Sequence, residues 1–426
     1  QAGNKVILIK PDYDKNGLPD TASLLNVFKR VTALLRSGKA SACYTPTLGG
    51  IAEAVMKMCF GNSLGFKFAD NLTIGEIFGY CYGGFLLEVT ENIADATEIG
   101  EITADGKISY NSEEIKLDKL LGIYENKLES VYRCNKENPK TEMQTFSHKT
   151  ENRVSPTVKT AKPKVLIPVF PGTNCEYDSA KAMRDAGAEP EIFVINNRSA
   201  ENVAKSVEEF ANSLKTAQMV FIPGGFSGGD EPDGSGKFIT AFFRNAAVKE
   251  QVTDLLDNRD GLMCGICNGF QALIKLGLVP YGRIIDTDEN CPTLTYNTIA
   301  RHQSKIVRTR IASNKSPWLS ETAVGDIYSV PVSHGEGRFI ASDELIHRLA
   351  ENGQIATQYV DENGLATNDI RFNPNGSYYA IEGITSPDGR VFGKMGHSER
   401  YAPDLYKNIP GNYDIKMFRS AVKYFK

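Results

Sequence analysis

From Lys164 to Gly277 the chain alternates buried apolar runs with stretches of helical spacing four times over, and this alternation constrains the fold more than any other feature. KVLIPVF (164–170), PEIFVI (190–195), MVFIPGG (219–225) and GLMCGI (261–266) read as strands. The stretches 175–187, 199–215, 238–258 and 268–277 read as helices. Near-continuous apolar strands alternating with helices imply a parallel sheet covered on both faces. Such sheets bind ligands beyond the C-terminal ends of their strands. Chemistry is therefore expected at 171–175, 223–230 and 266–268. After residue 290 the pattern shifts to strand-like runs (KIVRTRI, GDIYSVPVS, YYAIEGI, RVFGKM), followed by a last helix over 413–425.

At 426 residues the chain is too long for one ordinary core. Residues 1–134 read as an α/β unit, with strands at 5–9 and 83–89, a turn and strand over 62–68, and helical spacing at 21–36, 49–60 and 117–132. From 135 to 163 the sequence is polar, with scattered apolar residues and no period, and reads as a surface linker. The expected division is a lobe at 1–134, a linker at 135–163 and a second domain at 164–426. The net charge is −4 and no Lys/Arg run stands out, so no nucleic-acid partner is expected. No apolar run approaches the roughly 20 residues needed to span a bilayer, and no signal pattern opens the chain. A cytoplasmic protein is expected, with its eight scattered cysteines as free thiols.

The segment Gly265-Ile266-Cys267-Asn268-Gly269-Phe270-Gln271 carries the strongest chemical signal. Small residues two before and two after a cysteine, between strand and helix, are the cysteine form of a nucleophile elbow. The elbow lifts the sulfur out of the sheet and sets it at a helix N-terminus, where the dipole favours thiolate. It also leaves the Asn268 N–H free to receive an oxyanion. Cys264 and Cys267 are spaced like a redox pair, but Cys264 falls inside the strand. The glycine-rich run Pro223–Asp230 follows a second buried strand and offers further N–H groups. It is not a phosphate loop, because the residues around Gly236-Lys237 fail the Walker pattern at both ends.

A thiol nucleophile needs a base, and the base needs an orienting carboxylate. Of five histidines, His148 lies in the linker, His302 follows a polar turn and His347 sits in a solvated helix. The other two both stand two residues before a glutamate: His334-Gly335-Glu336 and His397-Ser398-Glu399. In extended chain such residues share a face, so either pair is able to serve Cys267. Chemistry alone leaves the choice open.

Pro-Gly-Gly, then Gly-x-Cys-x-Gly-x-Gln, then a C-terminal His-x-Glu resembles the triad glutamine amidotransferases, which have a flavodoxin-like, doubly wound, mostly parallel α/β sheet. The segments PVFPGTNCEYDSAKAMRDAGAE, GGFSGGDEPDGSGKF, CGICNGFQALIKLGLVP, SPWLS, PVSHGEGRF and GKMGHSERY are similar to the glutaminase domain of the phosphoribosylformylglycinamidine synthase family, over roughly 164–426. The resemblance implies that Cys267 attacks the glutamine amide, that His397 carries protons and that Glu399 orients it. Gly225 and Asn268 would supply oxyanion N–H groups. Gly224, Phe226, Ser227, Asp230 and Gln271 would line the glutamine pocket, with His334 near it but not the base. Ser398 stands where the family's His-Pro-Glu-Arg motif has Pro, an exchange expected to matter little because Pro carries no reactive group. The glutaminase step would need no cofactor or metal. ATP and Mg2+ would serve the full enzyme, in synthetase domains bound mainly outside this chain. The layout around SACYTPTLGGIAEAVMKMCFGNSLG resembles the C-terminal lobe of an aminoimidazole-ribonucleotide-synthetase-like half, with Leu48-Gly49-Gly50 where related lobes carry Asp-Gly-Gly. On this resemblance the chain is expected to be a C-terminal fragment of a single-chain enzyme in purine biosynthesis.

Overall fold

The computed structural model describes residues 1–131, 143–151, 153–227 and 235–426. The chain forms two compact units, Gln1–Cys134 and Asn135–Lys426.

In the first unit, seven strands make one sheet: β1 (Lys5–Ile9), β2 (Ala40–Tyr44), β3 (Gly65–Phe68), β4 (Phe85–Val89), β5 (Thr97–Thr103), β6 (Lys107–Tyr110) and β7 (Glu113–Lys116), in the order β2-β4-β1-β5-β3-β6-β7. Strand side chains alternate between faces, and here both faces are buried. Val6 and Leu8 join a core with Ile51, Ala54, Val55 and Cys59 of helix Gly50–Phe60. Ile7 and Ile9 join another with Val27, Val31 and Leu34 of helix Thr21–Arg36. Strands β2, β5, β6 and β7 escaped sequence reading because they are short or polar and lack a clean apolar alternation.

The second unit contains β8 (Lys164–Val169), β9 (Glu189–Val194), β10 (Met219–Ile222), β11 (Leu262–Ile266), β12 (Thr293–Tyr296), β13 (Gln303–Ile311), β14 (Ile327–His334), β15 (Glu336–Ile340), β16 (Ile355–Tyr359), β17 (Ile381–Thr385) and β18 (Val391–Lys394). Nine of them form one sheet in the order β14-β13-β16-β17-β18-β11-β10-β8-β9, while β12 and β15 pair separately. The stretch β18-β11-β10-β8-β9 is parallel. Taken by chain order, those five strands run 2-1-3-4-5, the flavodoxin-like winding. The other half, from β14 to β17, is antiparallel and joins β18 antiparallel. The sheet is thus mixed, and "mostly parallel" describes only the half that carries the loops expected to hold the site. Strands β10 and β11 are buried at every residue.

Two local expectations change. The stretch 238–258 forms two helices, Lys237–Phe243 and Ala246–Asp257, because the Asn245 side chain accepts the Ala247 N–H at 3.1 Å and starts a new helix. The described part of 135–163 keeps mostly to the surface but is pinned to the second unit at Phe146. Phe146 is buried in the core of the second unit, its N–H donates to Gln358 Oε1 at 2.8 Å, and its carbonyl accepts from Arg310 at 2.7 Å.

Candidate active site

Cys267 sits between β11 and helix Asn268–Leu276 with φ 53° and ψ −106°, a strained conformation for a residue with a side chain. Its neighbours permit the turn. A Cβ at Gly269 would overlap the Ile222 carbonyl, and one at Gly265 would sit 2.5 Å from the Gly269 carbonyl carbon. The Cys267 N–H donates to the Lys394 carbonyl at 2.9 Å, tying the elbow to the end of β18.

The loop after β10 lies against the same point. A methyl group at Gly224 would stand 2.7 Å from His397 Cε1, 3.3 Å from Cys175 Sγ and 3.4 Å from Cys267 Cβ. Gly224 therefore marks the place where the elbow, the histidine and a second cysteine converge. Gly225 has φ +147°, and a Cβ there would meet the Gly172 carbonyl at 2.6 Å. Only glycine suits that backbone. Among the described residues the Gly225 N–H donates to no backbone oxygen, because the neighbouring bridge runs from Phe226 N–H to Gly172 and from Asn174 N–H to Gly224.

The two His-x-Glu pairs behave differently. His397 Nδ1 lies 2.6 Å from Glu399 Oε1, both side chains are buried, and His397 Nε2 has no partner among the described residues. His334 instead receives the Asn375 amide on Nε2 at 3.2 Å, and Glu336 Oε2 accepts the Ser235 N–H at 3.0 Å. Burial, with His397 and His302 nearby, pushes His334 down to about 3, so it is a neutral ring. For Glu399, burial raises the carboxyl, but the charge and hydrogen bond of His397 hold it below its ordinary value.

Burial dominates at Cys267 and pushes the thiol up, with Cys175 and Glu399 adding to the rise; the Asn268 N–H and Arg400 pull it down by less. Burial thus opposes the helix end at Cys267. Cys267 is buried, and desolvation of the charged form is the largest influence on its thiol.

The other expected residues fall as follows. Asn268 Oδ1 accepts from the Ser227 N–H at 3.2 Å and from the Ser227 hydroxyl. Asn268 Nδ2 donates to Gln271 Oε1 at 3.0 Å, and Gln271 Nε2 donates to the Glu336 carbonyl. Ser227, Asn268 and Gln271 are therefore buried struts between the loops. Phe226 is partly exposed, its ring 6.3 Å from that of His302. Asp230 lies outside the described residues.

Several residues near the site were not singled out from the sequence. Cys175 Sγ is 3.8 Å from His397 Nδ1 and receives a hydrogen bond from Arg400 Nη2 at 2.9 Å. The signal was its place in PGTNCE, just beyond β8. Cys175, His397 and Glu399 bring possible metal-ligating atoms within 4.8 Å of one another, but the Arg400 guanidinium on the sulfur opposes a cation there. The Ser398 hydroxyl, where the family motif has Pro, accepts from buried Lys394 Nζ at 2.8 Å.

Residues 162–425 match the family model described as CobB/CobQ-like glutamine amidotransferase domain. The chain is similar to phosphoribosylformylglycinamidine synthase subunit PurQ of Methanococcus maripaludis, at 33% identity over 62% of this chain and 97% of that protein. It is similar to the PurQ subunit of Aquifex aeolicus at 32% identity, over 58% of this chain and 95% of that one. A solved structure of PurLQS from Thermotoga maritima aligns with a TM-score of 0.45 at 25% identity, over 62% of this chain and 100% of that one.

Proposed function

The chain belongs to the CobB/CobQ-like glutamine amidotransferase domain family, alongside the PurQ subunits of phosphoribosylformylglycinamidine synthase, and from that premise we propose that it releases ammonia from glutamine through a thioester on Cys267. The observation that carries the residue roles is the buried His397–Glu399 hydrogen bond beside the Cys267 elbow.

In this reading the Cys267 sulfur attacks the side-chain amide carbon of glutamine as its proton passes to His397 Nε2. Glu399 holds the ring with Nδ1 protonated and stabilises the imidazolium. The oxyanion of the tetrahedral intermediate receives the N–H groups of Gly225 and Asn268. His397 returns the proton to the leaving nitrogen, ammonia departs, and a water activated by the same ring hydrolyses the thioester. No cofactor enters this half-reaction. The raised thiol fits a site in which the proton moves only when substrate is present.

The ammonia is destined for ATP-dependent conversion of formylglycinamide ribonucleotide to its amidine. The partner is the synthetase of that reaction, which supplies the ATP and Mg2+ sites. Residues 1–134 fit a lobe of synthetase type, on the motif at 41–65. A cytoplasmic setting agrees with the biosynthetic role; among the described residues no helix is long and apolar enough to cross a membrane. The test is ammonia release from glutamine in the presence of the synthetase. Cleavage of peptides or esters with no ammonia from glutamine would assign the elbow to another hydrolase.

A further inference from the structure

Lys394 and Glu382 are a fully buried ion pair, Nζ to Oε1 3.3 Å, on neighbouring strands β18 and β17. Such a pair is often no more stabilising than apolar residues of equal volume, so its place in the core calls for another account. The hydrogen bonds supply one. Lys394 Nζ donates to the Gly396 carbonyl at 2.9 Å and to the Ser398 hydroxyl at 2.8 Å. Glu382 Oε1 accepts the Gly396 N–H at 2.6 Å, and its other oxygen accepts the Thr357 hydroxyl. The three ammonium protons thus face three acceptors, two of them on the residues flanking His397. The backbone there approaches closely: a Cβ on Gly396 would lie 2.9 Å from Glu382 Oε1. The Lys394 carbonyl also accepts the Cys267 N–H at 2.9 Å. One residue therefore holds the nucleophile by its main chain and the histidine loop by its side chain.

We propose that the Glu382–Lys394 pair, with the Ser398 hydroxyl as its third anchor, sets the register of His397 against Cys267. All three are positioning residues and touch no substrate. The segment from Gly396 to Arg400 leaves the sheet; His397 is held there by its N–H to the Pro331 carbonyl at 2.9 Å, and the pair fixes the residues on either side of it. A misplacement of about 1 Å at a reacting group costs on the order of a hundredfold in rate, which is the reason to keep two charges in a core. The proposal rests on the reading of Cys267, His397 and Glu399 as the glutaminase site.

The experiment uses the full chain and two readouts. One is solvent exchange of the His397 Nδ1 proton by NMR, assigned by its absence in His397→Asn. The other is the rate of Cys267 alkylation by a glutamine-like chloroketone, with melting temperature recorded throughout. In Ser398→Ala the Nδ1 proton loses its protection and alkylation slows about tenfold at unchanged reagent affinity, the equivalent of one weakened hydrogen bond. Ser398→Thr, which keeps the hydroxyl, restores both. The double variant Glu382→Gln/Lys394→Met, if it folds, shows the larger loss; if it does not, the Ser398 pair decides. Wild-type exchange and alkylation in folded Ser398→Ala would overturn the proposal. Protection lost in the variants, with no alkylation of Cys267 in wild type even when the synthetase is present, would leave the positioning role standing and remove the glutaminase reading.

Discussion

His397 and Glu399 share a 2.6 Å hydrogen bond inside the protein, while His334, equally close in sequence to Glu336, turns its ring to Asn375. The distinction predicts which pair carries protons. Glu399→Gln and His397→Ala should each lower glutamine turnover by about 10²–10⁴-fold, the range for a positioned acid–base group. His334→Asn should lower it by less than about tenfold, since its ring is neutral and serves by packing and by accepting the Asn375 amide. Steady-state ammonia release with the synthetase present measures all three. Equal losses at His334 and His397 would contradict the assignment.

Gly224→Ala places a methyl 2.7 Å from His397 Cε1 and 3.4 Å from Cys267 Cβ. The variant should fold, because the clash is with side chains, yet lose most of its activity. Gly269→Ala collides with backbone at Ile222 instead, and should lower the melting temperature. Thermal melts beside activity assays separate the two effects. An active Gly224→Ala would mean that the ring and the elbow do not meet there.

Burial raises the Cys267 thiol, so its reaction with iodoacetamide in the absence of glutamine should climb through pH 8 and show no plateau below the ordinary thiol value of about 8.5. A labelling midpoint near pH 6 would show that the helix end and Arg400 prevail over desolvation.

His334 is held down to about 3 in the fold, against about 6.5 in the unfolded chain. Between those values the unfolded state binds a proton that the native state refuses. Its contribution to stability is thus complete above about pH 6.5 and is lost as pH falls through the window, at up to about 1.4 kcal/mol per pH unit. Urea unfolding of wild type and His334→Asn from pH 7 to pH 5 should show a shallower decline in the variant. Parallel curves would place His334 in contact with solvent.

What the sequence made legible was local and periodic. The elbow around Cys267, the parallel strands and the Pro-Gly-Gly loop all have short-range patterns that backbone geometry enforces. The choice between His334 and His397 was not local, because it depends on Asn375 and on where β14 and β18 end. Lys394 and Glu382 were hidden for a related reason: a lone polar residue in an apolar strand gives no sign of its partner across the sheet. The burial that acts on the Cys267 thiol was not legible because desolvation belongs to the assembled core, whereas the helix end that opposes it is visible in the sequence.

The most direct measurement is to quench the chain with acid during turnover of isotope-labelled glutamine, with the synthetase present, and to locate the label by peptide mass spectrometry. A glutamyl adduct on the peptide bearing Cys267, accumulating in a variant slow to hydrolyse it and absent in Cys267→Ala, is the predicted result. Ammonia release that persists in Cys267→Ala, or an adduct on Cys175 in its place, would contradict the account.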